Sequence, residues 1–183
     1  MILSDHDILR ALDSGRIDVE PSPDAVQIQP ASLDVRLGEC LYNVDEDFTV
    51  TTFAQRSRHN VTFATRTNAV DGFDDHVLQP DTRYLAHTKE TVSLPDDVAA
   101  QLTGRSTIGR LGVIVHKTAG FIDPSFSGQI VLELMNFANE PVRLEVGKRV
   151  AQLVFFELSS PSSGYDGKYQ NQSGVTEAVS DHE

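Results

Sequence analysis

Five turn signals punctuate the sequence at strand-length intervals: Gln79-Pro80-Asp81, Leu94-Pro95-Asp96-Asp97, Asp123-Pro124-Ser125, Asn139-Glu140-Pro141 and Glu145-Val146-Gly147. Between them lie short β-prone runs, YLAHTKETVSL, GQIVLELMNF, PVRLEV and RVAQLVFFEL. Proline lacks an amide donor and glycine favours the conformations of turns, so neither run can be extended into a long helix or a long buried strand. Strands this short, with no alternating helix between them, exclude a parallel βαβ sheet. They predict a mainly β chain folded as a sandwich, jelly roll or closed barrel.

One helix is predicted, over Ser4 to Gly15. Ser4 is a capping residue, Asp5 and Asp7 place carboxylates against the free amides of the first turn, and Ile8, Leu9 and Leu12 form one apolar stripe. Downstream the period changes to two: Val26 to Pro30 and Ser32 to Leu37 alternate as half-buried strands do, and FTVTTF and NVTFATRT between residues 41 and 70 are further strand candidates. From Ser159 onward apolar periodicity is lost and Gly, Ser and Pro dominate, which predicts a mobile tail over residues 159–183 on a single domain spanning residues 1–183.

Composition narrows the function. With 27 acidic residues against 15 basic, the formal net charge is −12, and the basic residues are not clustered. Such a surface repels long polyanions, so nucleic acid is not an expected partner. Asp outnumbers Glu by 17 to 10 and Lys supplies only 4 of the 15 basic residues, the surface of a protein kept hydrated in concentrated salt. No run of eighteen apolar residues is present and the amino terminus is acidic by its fifth residue, so no membrane span is expected and a cytoplasmic enzyme is. A single cysteine, Cys40, allows no intrachain disulfide.

Two segments carry chemistry. In Thr103-Gly-Arg-Ser-Thr-Ile-Gly-Arg-Leu-Gly112, two guanidiniums, three hydroxyls and three glycines fall within ten residues, the donors that a turn needs to grip several phosphates. The GK[ST] ending of an ATPase phosphate loop is missing. Taken alone, Arg105 and Arg110 serve equally as surface partners for the abundant acids. The second segment runs from Val115 to Leu134. Asp123 precedes Pro124, which holds it extended at a strand-to-turn edge. Glu133 interrupts the apolar run IVLELMNF, and strand alternation puts it on the Val131 face, away from Leu132 and Leu134. That face is either a pocket or solvent. The six histidines show no metal-ligand spacing, and neither an H-x-E arrangement nor a P-C-x-x-C pair is present. A base deaminase built this way activates water with a carboxylate instead of zinc, and His116 is then a structural or pocket-wall residue.

Several long motifs in order, QPASLDVRLG at 29–38, GRSTIGRLG at 104–112, HKTAGFIDPSFSGQIVLELMN at 116–136, GKRVAQLVF at 147–155 and GYDGKYQNQSG at 164–174, closely resemble the dCTP deaminase branch of the trimeric dUTPase superfamily. The resemblance implies a distorted β-barrel or jelly-roll of the dUTPase-like type. It also implies a homotrimer with active sites shared between subunits, and a carboxy-terminal segment that folds over bound dCTP or dUTP. Glu133 matches the residue that activates water for attack at cytosine C4, with Ser106 and Arg110 orienting the water, the base and that glutamate. Arg105, Ser106 and Thr107, with Ile108 and Gly109, resemble the phosphate-binding stretch. Thr118 and Ala119 resemble the wall against the base, Val131 and Leu132 offer backbone contacts to the pyrimidine, and Asp123 resembles the residue on the deoxyribose 3′-hydroxyl. Gln152 matches a contact near sugar and phosphates, and Tyr165, Lys168 and Gln172 resemble tail residues that clamp the triphosphate. Mg2+ is expected on the phosphates, with no metal ligand supplied by the protein. Members that stop at dUTP carry a bulky residue after the Thr-Ala pair, whereas those continuing to dUMP and diphosphate carry Gly-Phe. Gly120-Phe121 resembles the second kind, with the glycine leaving space for Asp123 to orient a second water. A deaminase that releases dUTP, a plain dUTPase and a non-catalytic nucleotide sensor are the alternatives.

Overall fold

A computed structural model describes residues 1–44, 75–176 and 178–179; the FTVTTF and NVTFATRT strand candidates lie outside them. In chain order the elements are α1 (Asp5–Asp13), β1 (Asp18–Glu20), a 3-10 turn (Ala25–Gln27), β2 (Ile28–Gln29), β3 (Ser32–Asn43), β4 (Asp75–Leu78), β5 (Arg83–Ser93) and β6 (Val98–Gly104). There follow α2 (Ser106–Arg110), β7 (Val113–Ile114), β8 (Phe121–Ile122), β9 (Ser127–Asn136), β10 (Val142–Glu145) and β11 (Arg149–Glu157). The expected mainly β architecture is what forms.

The helix begins as its sequence dictates. Ser4 and Asp7 make a reciprocal capping box, and the Asp7 carboxylate also pairs with Arg10. Ile8 and Ala11 are buried beneath it with Leu12 packed beside them, but Leu9, expected on the same apolar stripe, is exposed, because one residue on from Ile8 the helix has turned it about 100° away from the sheet. The strands then build one curled sheet in the order β7-β9-β5-β3-β11-β6-β8, all pairs antiparallel, with β1 added to β5 and β2 to β3; β10 and β4 pair separately. Leu33, Leu132, Leu134, Leu153 and Phe155 meet in a single apolar core.

Two local expectations change. Residues 32–37 are not a half-buried strand: every residue there but Arg36 is buried, because β3 runs mid-sheet between β5 and β11 with both faces covered. The polar members of β3 are neutralised in place. Glu90, fully buried, accepts from the Arg36 amide at 2.8 Å, the Arg36 Nε at 2.6 Å and the Gln27 side chain at 3.0 Å. Residues 26–30 likewise form a 3-10 turn and only a two-residue strand, because the Gln27 amide is drawn inward to the Asp34 carbonyl and Glu90.

β9 keeps strict alternation. Ile130, Leu132, Leu134 and Asn136 are buried, while Gln129, Val131, Glu133 and Met135 are half-buried on the other face. Residues 165–172 of the tail lie along the start of this strand. Tyr165 N–H donates to the Pro124 carbonyl at 2.7 Å, Asn171 N–H to Ser127 at 2.7 Å, and Gln129 N–H to the Gln172 carbonyl at 3.0 Å. The approach is close enough that a Cβ on Gly128 would sit 2.9 Å from the Gln172 carbonyl oxygen, so only glycine lets the tail dock there.

Candidate active site

A cavity of about 360 Å3 opens between β8, β9 and the docked tail, within the size range of small-molecule sites. Its floor is apolar, with Ile122, Phe126, Ile130 and Val131. Two carboxylates enter it, Glu133 from β9 and Asp123 from the turn after β8. The pocket alternative for the Val131 face is therefore the one realised.

Glu133 is held from one side. The Thr118 amide donates to its Oε2 at 2.9 Å and the Lys117 amide at 3.2 Å, while the Thr118 hydroxyl lies 3.0 Å from both carboxylate oxygens. A carboxylate has about four lone-pair sites. Oε2 is saturated by these donors; Oε1 receives only a share of one hydroxyl proton and keeps capacity for a water. Across the sheet Leu85 stands opposite Glu133 in register and walls the cavity beside it. Glu133 is thus a fixed acceptor next to an apolar surface, which is what a proton-transferring group needs.

Ala119 and Phe121 line the same cavity. Gly120 lies behind them and corrects the steric reason given for it. A Cβ there would run into the Gln101 amide nitrogen, come within 2.8 Å of the Leu102 carbonyl and within 3.1 Å of the His116 ring. Glycine therefore opens no space toward the ligand; it lets β8 lie tight on β6, where the Leu102 N–H donates to the Gly120 carbonyl at 2.7 Å and Ile122 is in register with Ala100. Asp123 takes its position from that seating. His116 lines the cavity, and both of its ring nitrogens are buried without a partner among the described residues.

The tail supplies the remaining wall. Tyr165 packs tilted on Phe126 with ring centroids 6.0 Å apart, and Gln172 is pinned by its amide to the Gln129 carbonyl at 2.8 Å. Lys168 Nζ donates to the Val179 carbonyl at 2.7 Å and lies 5.6 Å from the Tyr169 ring centre. Tyr169, one of the ligand-contacting types that the tail sequence offers, also lines the cavity; so do Leu85, Phe126 and Thr176, which were not singled out by sequence. Tyr169 follows Tyr165 by one helical turn's spacing in a tail rich in ligand-contacting types, a signal that was present; Leu85 had none, because only strand pairing brings it to Glu133. The side chain of Leu132 points into the core, so only its backbone is available to a ligand.

The arginine-and-hydroxyl segment is not among the walls of this cavity. Instead of a glycine turn with converging amides it forms α2, in which the Arg105 carbonyl accepts from the amides of Ile108 and Gly109. Ile108 is buried, while Ser106, Thr107, Gly109 and Arg110 are exposed. Arg105 is drawn back to the buried carboxylate of Asp34 at 2.9 Å, which Arg149 also reaches at 3.1 Å. Burial pushes the Asp34 carboxyl above the usual carboxylate range against the pull of both guanidiniums. Gln152 stands on β11 in register between Asp34 on β3 and Thr103 on β6.

A curled antiparallel sheet carrying a cradled glutamate and a second carboxylate in one apolar cavity, with the tail folded over it, defines the class: the chain belongs to the dCTP deaminase-like family, whose model matches residues 2–158. Among curated relatives it is similar to the dUMP-forming dCTP deaminase of Kocuria rhizophila, 45% identical over 182 residues covering 96% of this chain and 93% of that protein. The dUMP-forming dCTP deaminase of Halobacterium salinarum is 44% identical over 180 residues, covering 95% and 92%. Among solved structures, the 2′-deoxycytidine 5′-triphosphate deaminase from Agrobacterium tumefaciens superposes with a TM-score of 0.64 at 26% identity, over 84% of this chain and 47% of that longer one. A dUTPase of Staphylococcus bacteriophage 80alpha crystallised with dUpNHpp superposes with a TM-score of 0.51 at 17% identity over 86% and 95%, a likeness of fold alone.

Proposed function

We propose that this chain deaminates dCTP hydrolytically at cytosine C4 and hydrolyses the triphosphate as well, giving dUMP, ammonia and diphosphate. What carries the reading is the carboxylate of Glu133, fixed by Lys117 and Thr118 with Oε1 left open to an apolar cavity. In the first step Glu133 takes a proton from water as its oxygen adds to C4, and passes it to N3. It then moves the second proton from the new hydroxyl to the amino group, which leaves as ammonia. In the second step Asp123 orients another water toward the α-phosphorus, and diphosphate departs. The dUMP-forming names of the two relatives favour the complete reaction over release of dUTP.

The phosphates fall to Arg105, Ser106 and Thr107 with Lys168, Tyr165 and Gln172, while Ser106 and Arg110 orient the water, the base and Glu133. As Ser106 and Arg110 are exposed on α2 and lie outside the cavity walls of their own chain, they are available to a neighbouring subunit's nucleotide, as in a homotrimer with shared sites. The guanidiniums and hydroxyls of residues 105–107 suit phosphate oxygens, and Mg2+ would bind through those same oxygens and neutralise their charge. Residues 159–183 are read as a lid on a single domain, and the acidic surface as an adaptation to high salt.

Incubation of the full chain with dCTP and Mg2+, resolving dUTP, dUMP, diphosphate and ammonia over time, tests this. Equal yields of ammonia and dUMP are expected. Hydrolysis of added dUTP without any ammonia from dCTP would refute deamination, and accumulating dUTP without diphosphate would refute the second step.

A further inference from the structure

Asp34 has no part in the chemistry just described, yet few charged groups in this chain are so enclosed. Its side chain is 1% exposed, and its Oδ2 binds Arg105 Nε at 2.9 Å and Arg149 Nη1 at 3.1 Å. The other oxygen, Oδ1, is buried with no partner among the described residues. A carboxylate in this position is costly unless it organises something. What it organises is a fork. Arg105 is committed at two of its three nitrogens, its Nε to Asp34 and its Nη1 to the Arg149 carbonyl at 2.9 Å, so Nη2 alone remains to meet a ligand and the side chain is already fixed. Arg149, held by the same carboxylate and by the Val26 carbonyl, completes the frame.

We propose that Asp34 is a positioning residue for phosphate binding: by holding Arg105 from behind, it orients the free guanidinium edge toward the triphosphate. The proposal rests on the assignment of Arg105 to the phosphate-binding stretch. A guanidinium fixed in advance loses less entropy on binding than one on a mobile stem, so release of Arg105 weakens the hold on phosphates and leaves the base contacts untouched. Asp34 thereby links the sheet interior, three strands deep, to the ligand.

The test is a double-mutant cycle on the full-length protein, read by calorimetry with two probes, Mg2+-tripolyphosphate and unphosphorylated deoxycytidine. Asp34→Asn should weaken tripolyphosphate about ten-fold and change deoxycytidine less than two-fold, and raise KM for dCTP while kcat for ammonia release holds. Arg105→Gln should do the same, and the double variant should bind no more weakly than Arg105→Gln alone. Additive losses, equal weakening of both probes, or unchanged tripolyphosphate affinity would overturn the proposal. Arg105→Lys tests the same geometry without touching the buried carboxylate, since one ammonium cannot serve Asp34 and a phosphate in the forked arrangement. Full tripolyphosphate affinity in that variant would also overturn it. Failure of the proposed reaction is a separate result, seen as absent ammonia release by the unaltered protein.

Discussion

Replacing Glu133 with Gln removes one charge and two acceptor sites while keeping the shape. Three donors converge on the carboxylate, two amides and the Thr118 hydroxyl, and all can still be met by the amide oxygen if it occupies the Oε2 position. The NH2 group then faces the cavity where Oε1 stood. Charge-assisted hydrogen bonds exceed neutral ones by about 1 kcal/mol each in buried settings, and this half-buried cradle keeps a fraction of that, so the cost to folding is about 1 kcal/mol. In a chain of this length that lowers Tm by about 2–4 °C. The chemical cost is far larger. A positioned acid-base group contributes about 10²–10⁴ in rate, or about 2.7–5.5 kcal/mol of barrier, and here one group serves two proton transfers, which places the loss at the upper end. Ammonia release from dCTP should fall at least 10³-fold (about 4 kcal/mol), with Mg2+-dCTP affinity within a few-fold and dUTP hydrolysis retained. Continuous ammonia detection, calorimetric binding and product chromatography on the same preparation separate these quantities. Ammonia release within ten-fold of the unaltered protein would remove Glu133 from the reaction, and lost nucleotide binding would make it a structural residue.

Gly120→Ala drives a methyl group into the Leu102 carbonyl and Gln101, so it should cost about 1–3 kcal/mol in urea unfolding and shift products from dUMP toward dUTP by displacing Asp123; an unchanged product ratio would refute the seating role of β8. Glu90→Ala takes the acceptor from the Arg36 Nε and backbone amide, leaving Arg36 only the exposed Asp24 and Gln27 only the Asp34 carbonyl, and should cost about 3–5 kcal/mol; a loss under about 1 kcal/mol would show the cluster to be neutral. Hydrogen bonds from the Ser4 hydroxyl and amide, then Arg10, hold the Asp7 carboxyl below its ordinary 3.8, so its contribution is whole above that pH and lost as pH falls through the folded value. The Tm gap between Asp7→Asn and the unaltered protein should therefore be whole at neutral pH and close as the pH falls below 3.8 through the folded value. With a net charge of −12, Tm and activity should rise between low and molar KCl, and a flat or falling response would count against adaptation to salt.

Local pattern alone located a good part of this molecule. The cap at Ser4 and the acids of the first turn fix the start of α1, because their partners lie within one turn, whereas the expected stripe failed at Leu9 because burial is set by the sheet that the helix packs on. Alternation with a period of two put Glu133 on the face opposite Leu132 whatever β9 pairs with, and the Asp123-Pro124 turn signal marked where β8 ends. Motif resemblance reached the family, since it draws on many positions at once.

Which alternative held at each open point was decided by contacts between residues far apart in the chain. Whether the Glu133 face was pocket or solvent depended on the Lys117-Thr118 amides arriving 15 and 16 residues away in sequence and on the tail folding back across Ser127 to Gln129. Arg105 was equally suited to a phosphate or a surface acid until β3 brought the buried carboxylate of Asp34 beneath it. Gly120 looked like room for a ligand and is instead a close contact between strands. Side-chain direction along a strand is set by its own backbone, but what stands opposite is set by register and curl, which emerge only when distant strands pair.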